Sequence, residues 1–183
     1  MINSLSQNST GTFRRCALLA LTLLTYTATV ATAQIKITND GKCGKPDQVQ
    51  SIEVGDRTGH VLVLLKTSCT WTNSTEMAGV KPKDYVVTET HDSAGGKGQD
   101  RGYVVMTMDN GDKAFARFTG SSATTKEGAS TGEGTWSYTG GTGKLKGLTG
   151  KGTYKSTLNA EGGEDHVEGE YTVPTPPPPK TKK

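Results

Sequence analysis

Apolar and polar residues alternate over short stretches along most of the chain. Val61, Val63 and Leu65 occupy every second position of one stretch, and Trp136 and Tyr138 do the same in another. Such alternation is typical of half-buried β-strands, and no stretch after residue 33 shows the 3.6-residue period of a helix. The pattern predicts strands at 49–54, 60–66, 69–73, 85–90, 103–108, 113–119, 134–138, 152–158 and 167–173.

The boundaries between these stretches are rich in Gly, Asn and Asp, which favour turns. The clearest case is Asp109-Asn110-Gly111-Asp112 between two predicted strands. Asn-Gly tolerates the positive φ angles of a type I′ turn, so this segment predicts a tight hairpin.

Eight or nine short antiparallel strands in one small domain imply a sandwich or a barrel. Closure into a barrel removes exposed strand edges. The chain has 24 Gly among 183 residues, and glycine within strands favours the bends and close approaches of a barrel. We therefore predict an all-β fold, a closed or nearly closed eight-stranded antiparallel barrel spanning residues 34–173.

The N-terminal residues 1–33 have the pattern of a cleaved signal peptide. Arg14 and Arg15 precede an apolar run at 16–30, and Ala31-Thr32-Ala33 forms an A-x-A cleavage signal. The alternative is a transmembrane anchor, but a span needs about 20 apolar residues. We expect a mature chain beginning near Gln34, exported to the periplasm or the extracellular space, without an integral membrane span.

The C-terminal residues 174–183 consist entirely of Pro, Thr and Lys. Successive prolines adopt polyproline II and cannot join a sheet. We expect a disordered tail, with a spacer or a ligand for an anionic surface as the alternatives. The formal net charge of +3 is concentrated at the two ends of the chain, which argues against a nucleic-acid partner.

Two of the three cysteines, Cys43 and Cys69, remain after removal of the signal. An exported chain with two cysteines permits one intramolecular pairing, so we predict a Cys43–Cys69 disulfide. Two unpaired thiols are the alternative. No second Cys or His stands at metal-ligand spacing, and we predict neither a metal nor a cofactor.

The segment 132–152 is unusually rich in glycine. The sequence G-x-G-T-aromatic occurs at 132–136 and again at 150–154, which predicts two neighbouring strands of similar shape. A phosphate-binding loop is excluded because no G-x-x-x-x-G-K-[ST] motif and no following helix occur here.

Gly140-Gly141-Thr142-Gly143, followed by Gly147 and by Gly150-x-Gly152, resembles a turn found in the allene oxide cyclase-like and dirigent-like barrels. The clear match covers about 25 residues. The resemblance implies an eight-stranded antiparallel barrel in which Gly140, Gly141, Gly143 and Gly147 make a structural turn at one barrel end. It is nearest to small exported bacterial members, and no catalytic residue of the family has a counterpart here.

Four residues are the candidates for ligand binding. Arg117 could anchor an anionic group, or form an outward salt bridge. His91 could act as an acid or base at a barrel mouth, or be a solvated loop histidine. Trp136 and Tyr138 could line a pocket or belong to the core.

The leading hypothesis is a non-enzymatic barrel that binds a small apolar or amphipathic ligand, or an interaction module of the cell envelope. Small barrels are either filled by side chains or hold one small ligand. The alternative is an isomerase or cyclase acting on a small lipid-like substrate. It requires an ionisable group such as Arg117, His91 or Glu89 to point into the cavity. A third hypothesis, a structural or inhibitory surface protein, predicts an exposed apolar patch.

Overall fold

The computed structural model describes residues 34–174. The predicted signal peptide at 1–33 and the tail after Pro174 lie outside the described residues. Within that range the chain forms nine β-strands and one short 3₁₀ turn, and no helix there is long and apolar enough to cross a membrane. The strands are β1 (Ile35–Cys43), β2 (Gln48–Glu53), β3 (His60–Asn73), β4 (Pro82–Ala94), β5 (Lys97–Met108), β6 (Lys113–Thr124), β7 (Ser130–Gly141), β8 (Thr149–Asn159) and β9 (Gly162–Thr172).

Eight of the strands close into an antiparallel barrel, as predicted. From β3 to β9 each strand pairs with the next one in sequence, and β1 completes the circle by pairing with both β9 and β3. The closed part therefore has no free edge, which satisfies the backbone hydrogen bonds of its strands.

The ninth strand, β2, lies outside the closed circle. It pairs with the first half of β3, at 61–66, whereas β1 pairs with the second half, from Cys69 onward. The predicted disulfide is confirmed: Cys43 and Cys69 are direct cross-strand neighbours joined by an S–S bond. The disulfide links β1 to β3 near the point on β3 where the neighbouring strand changes from β2 to β1.

One end of the barrel is plugged by apolar side chains. The connection between β7 and β8 contains the 3₁₀ turn Gly143–Leu145, and it buries Leu145 and Leu148 completely. Met77, from the loop between β3 and β4, is equally buried, and Met108 at the end of β5 joins them. These four side chains fill that end of the barrel and are almost inaccessible to solvent.

The glycine-rich turn makes the plug possible. Gly143 and Gly147 have φ angles of 52° and 78°, values that side chains disfavour. A Cβ at Gly141 would lie 2.8 Å from the Cβ of Leu145. The chain can therefore fold back closely enough to place Leu145 inside the barrel.

Several inward-facing glycines lie opposite aromatic rings. The repeated G-x-G-T-aromatic segments are the neighbouring strands β7 and β8, and their antiparallel register pairs Trp136 with Gly152 and Gly134 with Tyr154. A Cβ at Gly152 would meet the Trp136 ring at 2.7 Å. Large rings thus fit inside a narrow barrel because their cross-strand neighbours lack side chains.

The structure corrects three local predictions. Residues 35–43 form a strand that the pattern did not indicate, because its inner face mixes Ile37 with Asn39 and Gly41. The two predicted strands at 60–66 and 69–73 are one continuous strand. In the hairpin 109–112 only Gly111 has a positive φ, so the turn is not type I′.

Candidate functional site

A cavity of about 120 Å³ lies within the barrel. Its walls come from strands all round the barrel and include apolar, aromatic and acidic side chains. The lining residues used below are Asn39, Cys43, Thr67, Trp71, Tyr85, Glu89, Ala116, Phe118, Trp136, Tyr138, Tyr154 and Asp165. A volume of this size is close to that of cavities that hold a benzene-sized molecule.

Aromatic rings form much of the cavity wall. Trp71 stacks on Tyr85 with ring centroids 4.1 Å apart and an interplanar angle of 25°. Phe118 meets Tyr154 edge to face at 5.3 Å. Paired rings of this kind are held rigidly by packing, so they provide a preformed surface for a flat or cationic guest.

An acidic side chain lies among these rings. Asp165 accepts a hydrogen bond of 2.7 Å from the hydroxyl of Tyr85. Burial raises the pKa of Asp165, the hydrogen bond from Tyr85 opposes this, and the negative charge of Glu89 adds to it, leaving the pKa at about 6. The carboxyl group can therefore gain or lose a proton near neutral pH.

The disulfide borders the same acidic group. The Cys43 sulfur lies 3.4 Å from Asp165 Oδ2 and 3.7 Å from the hydroxyl oxygen of Tyr85. Because this sulfur is bonded to Cys69, it carries no hydrogen to donate. The Tyr85 hydroxyl is thus the hydrogen-bond donor that fixes Asp165 at this side of the cavity.

A second ionisable cluster lies towards the other barrel end, where a pocket of about 390 Å³ opens. His91 Nδ1 is 2.7 Å from Asp100 Oδ1, and its Nε2 is 3.4 Å from Glu89 Oε1. Ser122 donates a further hydrogen bond of 2.9 Å to Asp100. Glu89 lines both this pocket and the inner cavity, so it connects the mouth to the interior.

The two carboxylates determine the protonation of His91. Burial alone would lower the pKa of His91, but the hydrogen bond to Asp100 and the contact with Glu89 outweigh it and raise the pKa to about 10. His91 is consequently a cation at neutral pH.

Several polar atoms of the cavity wall have no hydrogen-bond partner among residues 34–174. They are Asn39 Nδ2, Thr67 Oγ1, Trp71 Nε1 and the Tyr154 hydroxyl. Asn39 and Thr67 are 0% and 3% exposed. Buried polar groups without partners are rare in folded proteins because each costs about 1–3 kcal/mol. The side chains that carry these atoms line the cavity, whose space water or a polar ligand can fill.

Three of the four candidate ligand-binding residues face the inside of the barrel. Trp136 and Tyr138 line the cavity. His91 lines the mouth pocket, and it belongs to β4 and not to a loop. The four predicted turn glycines, Gly140, Gly141, Gly143 and Gly147, lie at the plugged end.

Arg117 does not line the cavity and takes the outward direction that the sequence analysis gave as its alternative, with a serine in place of an acidic partner. Its neighbours Ala116 and Phe118 line the cavity, so the alternation of β6 directs Arg117 outward. It is exposed there, and its Nε donates a hydrogen bond of 3.3 Å to Ser137 Oγ.

Other interior residues were missed by sequence reasoning. Asp165 has the same parity in β9 as Val167 and Tyr171, and this parity was the available signal for an inward direction. Asn39 belongs to the strand that the apolar pattern did not indicate. For Thr67, nothing in the sequence distinguished an inward threonine from an outward one.

Metal binding has limited support in the described region. Cys43, Cys69 and Asp165 form the one group there whose ligand atoms lie within 4.8 Å of one another. Thiolates bind metals, whereas these two sulfurs are bonded to each other. The disulfide-bonded protein therefore offers a single carboxylate at this position.

Together, the fold and site define a small antiparallel barrel with a polar, aromatic-lined interior. Neither a scan against protein-family models nor a search of curated proteins finds a match for this chain. The relationship to the allene oxide cyclase-like barrels remains a prediction from the glycine-rich turn.

Proposed function

We propose that the protein is an exported binding protein that holds one small amphipathic molecule inside its barrel. The observation that carries this proposal is the group of unpartnered polar atoms on the cavity wall. Asn39 Nδ2 and Trp71 Nε1 can only donate, whereas the hydroxyls of Thr67 and Tyr154 can donate or accept. An oxygen-bearing ligand would satisfy such atoms, and its apolar part would contact the aromatic rings.

The size of the cavity limits the ligand. A volume of about 120 Å³ suits a single aromatic ring with a short polar substituent and excludes a long acyl chain. The apolar plug around Leu145 and Leu148 favours entry from the opposite end, through the pocket beside Glu89 and His91.

Two features support export. The apolar run and A-x-A sequence before Gln34 are typical of a signal peptide. A disulfide such as Cys43–Cys69 persists in oxidising compartments and is rare in the cytosol.

Tryptophan fluorescence tests the binding proposal. Both tryptophans of the chain, Trp71 and Trp136, line the cavity. We expect the neutral probes phenol, benzyl alcohol and tyrosol to change their emission in a saturable way. Ala116→Leu, which fills the cavity, should abolish the change, whereas Ala123→Leu on the exposed part of β6 should preserve it. Equal responses in both variants, or no saturable response to any probe, would contradict internal binding.

A second candidate function is proton transfer on a bound substrate. It is favoured by Asp165, whose pKa of about 6 suits a general base near neutral pH and whose position is fixed by Tyr85. In such a step Asp165 would take a proton from a carbon beside a carbonyl group and return one to the resulting enolate.

Hydrogen exchange distinguishes this activity from binding alone. In heavy water, NMR should show faster deuterium incorporation beside the carbonyl of para-hydroxyphenylacetone with the wild-type protein than with Asp165→Asn. Identical exchange rates with both proteins would eliminate the catalytic candidate and leave the binding proposal intact.

A further inference from the structure

The charges facing the cavity are unbalanced. Glu89 and Asp165 both line it, whereas no lysine or arginine does so in the described range. This asymmetry indicates the charge of the ligand. The inference drawn from it rests on the proposed binding function.

His91 provides only part of the missing positive charge. Its short contact, 2.7 Å, is with Asp100, which also accepts the hydroxyl of Ser122. Its distance to Glu89 is 3.4 Å and lacks hydrogen-bond geometry. The single positive charge of His91 is shared between Asp100 and Glu89, so Glu89 can still interact with another cation.

Asp165 has no cationic partner among residues 34–174. Its interactions there are the hydrogen bond from Tyr85 and the contact with the Cys43 sulfur. Burial raises its pKa most, and the negative charge of Glu89 raises it further, because like charges that line one cavity repel each other. A positive ligand group near them would relieve this repulsion.

The aromatic wall favours the same kind of ligand. Asp165 is bonded to Tyr85, whose ring is stacked on Trp71. Ammonium groups are attracted to the faces of Trp and Tyr, most strongly where water is excluded. Carboxylates beside stacked rings are therefore suited to an organic cation.

We propose that the barrel selects a small organic ammonium ion whose nitrogen lies near Glu89 and Asp165 and whose uncharged end carries an oxygen atom. The oxygen accepts hydrogen bonds from Asn39 Nδ2 and Trp71 Nε1, which are unpartnered among the described residues. Asn39 is fully buried and lines the cavity, so this part of the site is independent of the acidic pair. An aromatic or alkyl amine with one hydroxyl group has the required chemistry.

Three probes of nearly equal size test the charge preference by isothermal titration calorimetry. Tyramine is positive, tyrosol is its neutral isostere and para-hydroxyphenylacetate is negative. We expect tyramine to bind at least about tenfold more tightly than tyrosol, and the anion to bind most weakly.

The variants Glu89→Gln and Asp165→Asn should each reduce the preference for tyramine over tyrosol by about fivefold or more, since each removes one attracting charge. Glu164→Gln removes the same charge on the exposed side of β9 and should leave the preference unchanged. Tyrosol binding by the variants reports whether the cavity remains intact.

Two outcomes separate this inference from the function on which it rests. Equal binding of tyramine and tyrosol, or tighter binding of the anion, would overturn the cation preference while leaving internal binding intact. Displacement of tyramine by sodium ions at constant ionic strength would show that the site takes an inorganic cation and would also overturn it. No binding of any of the three probes would refute both.

Discussion

At the scale of single residues, the site depends on one close approach between a glycine and a tyrosine. The Tyr85 hydroxyl occupies the space that a side chain at Gly41 would fill. From this position Tyr85 donates a hydrogen bond to Asp165, which is the cross-strand neighbour of Gly41 between β1 and β9. Gly41, which lies within a strand, thus leaves the space from which Tyr85 orients the Asp165 carboxylate.

We predict that Gly41→Ala destabilises the protein by about 1–3 kcal/mol, because the added methyl group overlaps a buried, stacked tyrosine that has little room to move. Denaturant unfolding measures the effect. Gly44→Ala is the matched control, since its Cβ would lie 3.7 Å from the nearest atom, the carbonyl oxygen of Ser68. Equal stability of the two variants would show that Tyr85 is not fixed over Gly41.

The residue scale also shows what sequence patterns reveal about the site. Alternation was sufficient to suggest Trp136 and Tyr138 as pocket residues, and it contained the signal for Asp165. It left the direction of Arg117 open, because the inner face of an alternating strand cannot be assigned when Phe115 on one face and Phe118 on the other are both apolar. Unpartnered atoms such as Asn39 Nδ2 depend on distances between strands, which no local pattern contains.

At the scale of elements, the 3₁₀ turn and the loop before β4 act as a plug. Leu145 and Leu148 are buried as completely as any residue of the core, although they belong to a connection between strands. The glycines on both sides of the turn were recognisable in the sequence as a structural motif. The sequence did not indicate that Leu145 fills the barrel end, since the nearby Lys144 and Lys146 give the segment a polar character.

Leu145→Ala should lower the free energy of unfolding by about 2–5 kcal/mol, the usual cost of removing a fully buried leucine side chain. Chemical denaturation measures this against Leu64→Ala. Leu64 is 46% exposed on β3, so the same substitution there should cost about 1 kcal/mol or less. Similar losses in both variants would contradict a tightly packed plug.

At the scale of the whole molecule, the barrel combines an apolar closed end, a small aromatic cavity and a charged mouth. The turn residues and the alternating pattern predicted a closed barrel, but the pattern did not indicate β1, the strand that closes it, and it divided β3 in two. The cavity could not be predicted from the sequence, because it results from the way rings and glycines of neighbouring strands alternate around the barrel. Ionisable groups from β4, β8 and β9 line the cavity, and two more from β4 and β5 lie in the mouth pocket: Tyr85, Glu89, Tyr154 and Asp165 in the cavity, and His91 and Asp100 at the mouth.

This arrangement makes stability depend on pH. The pKa of Asp165 is raised from 3.8 to about 6 in the fold, so the folded state favours the protonated form. The associated stability is fully present below about pH 4 and is lost as the pH rises through 6. At neutral pH the buried charge is therefore a cost to the free protein.

We predict that Asp165→Asn is more stable than the wild type by about 2–3 kcal/mol at neutral pH and that this gain disappears below about pH 4. Unfolding curves at several pH values measure the difference between the two proteins, in which the other ionisable groups are the same. Glu164→Gln, the exposed control, should show no comparable gain. A difference that is independent of pH would mean that Asp165 is not held at a raised pKa.

The most direct test of internal binding uses the two tryptophan indole groups. Trp136 Nε1 donates a hydrogen bond of 3.1 Å to the carbonyl oxygen of Thr153, whereas Trp71 Nε1 has no partner in the described range. In a ¹H–¹⁵N NMR titration with tyramine, with Trp71→Phe identifying the signals, the Trp71 indole resonance should move furthest and saturate. Tyramine binding that leaves the Trp71 resonance unmoved would contradict a ligand site inside the barrel.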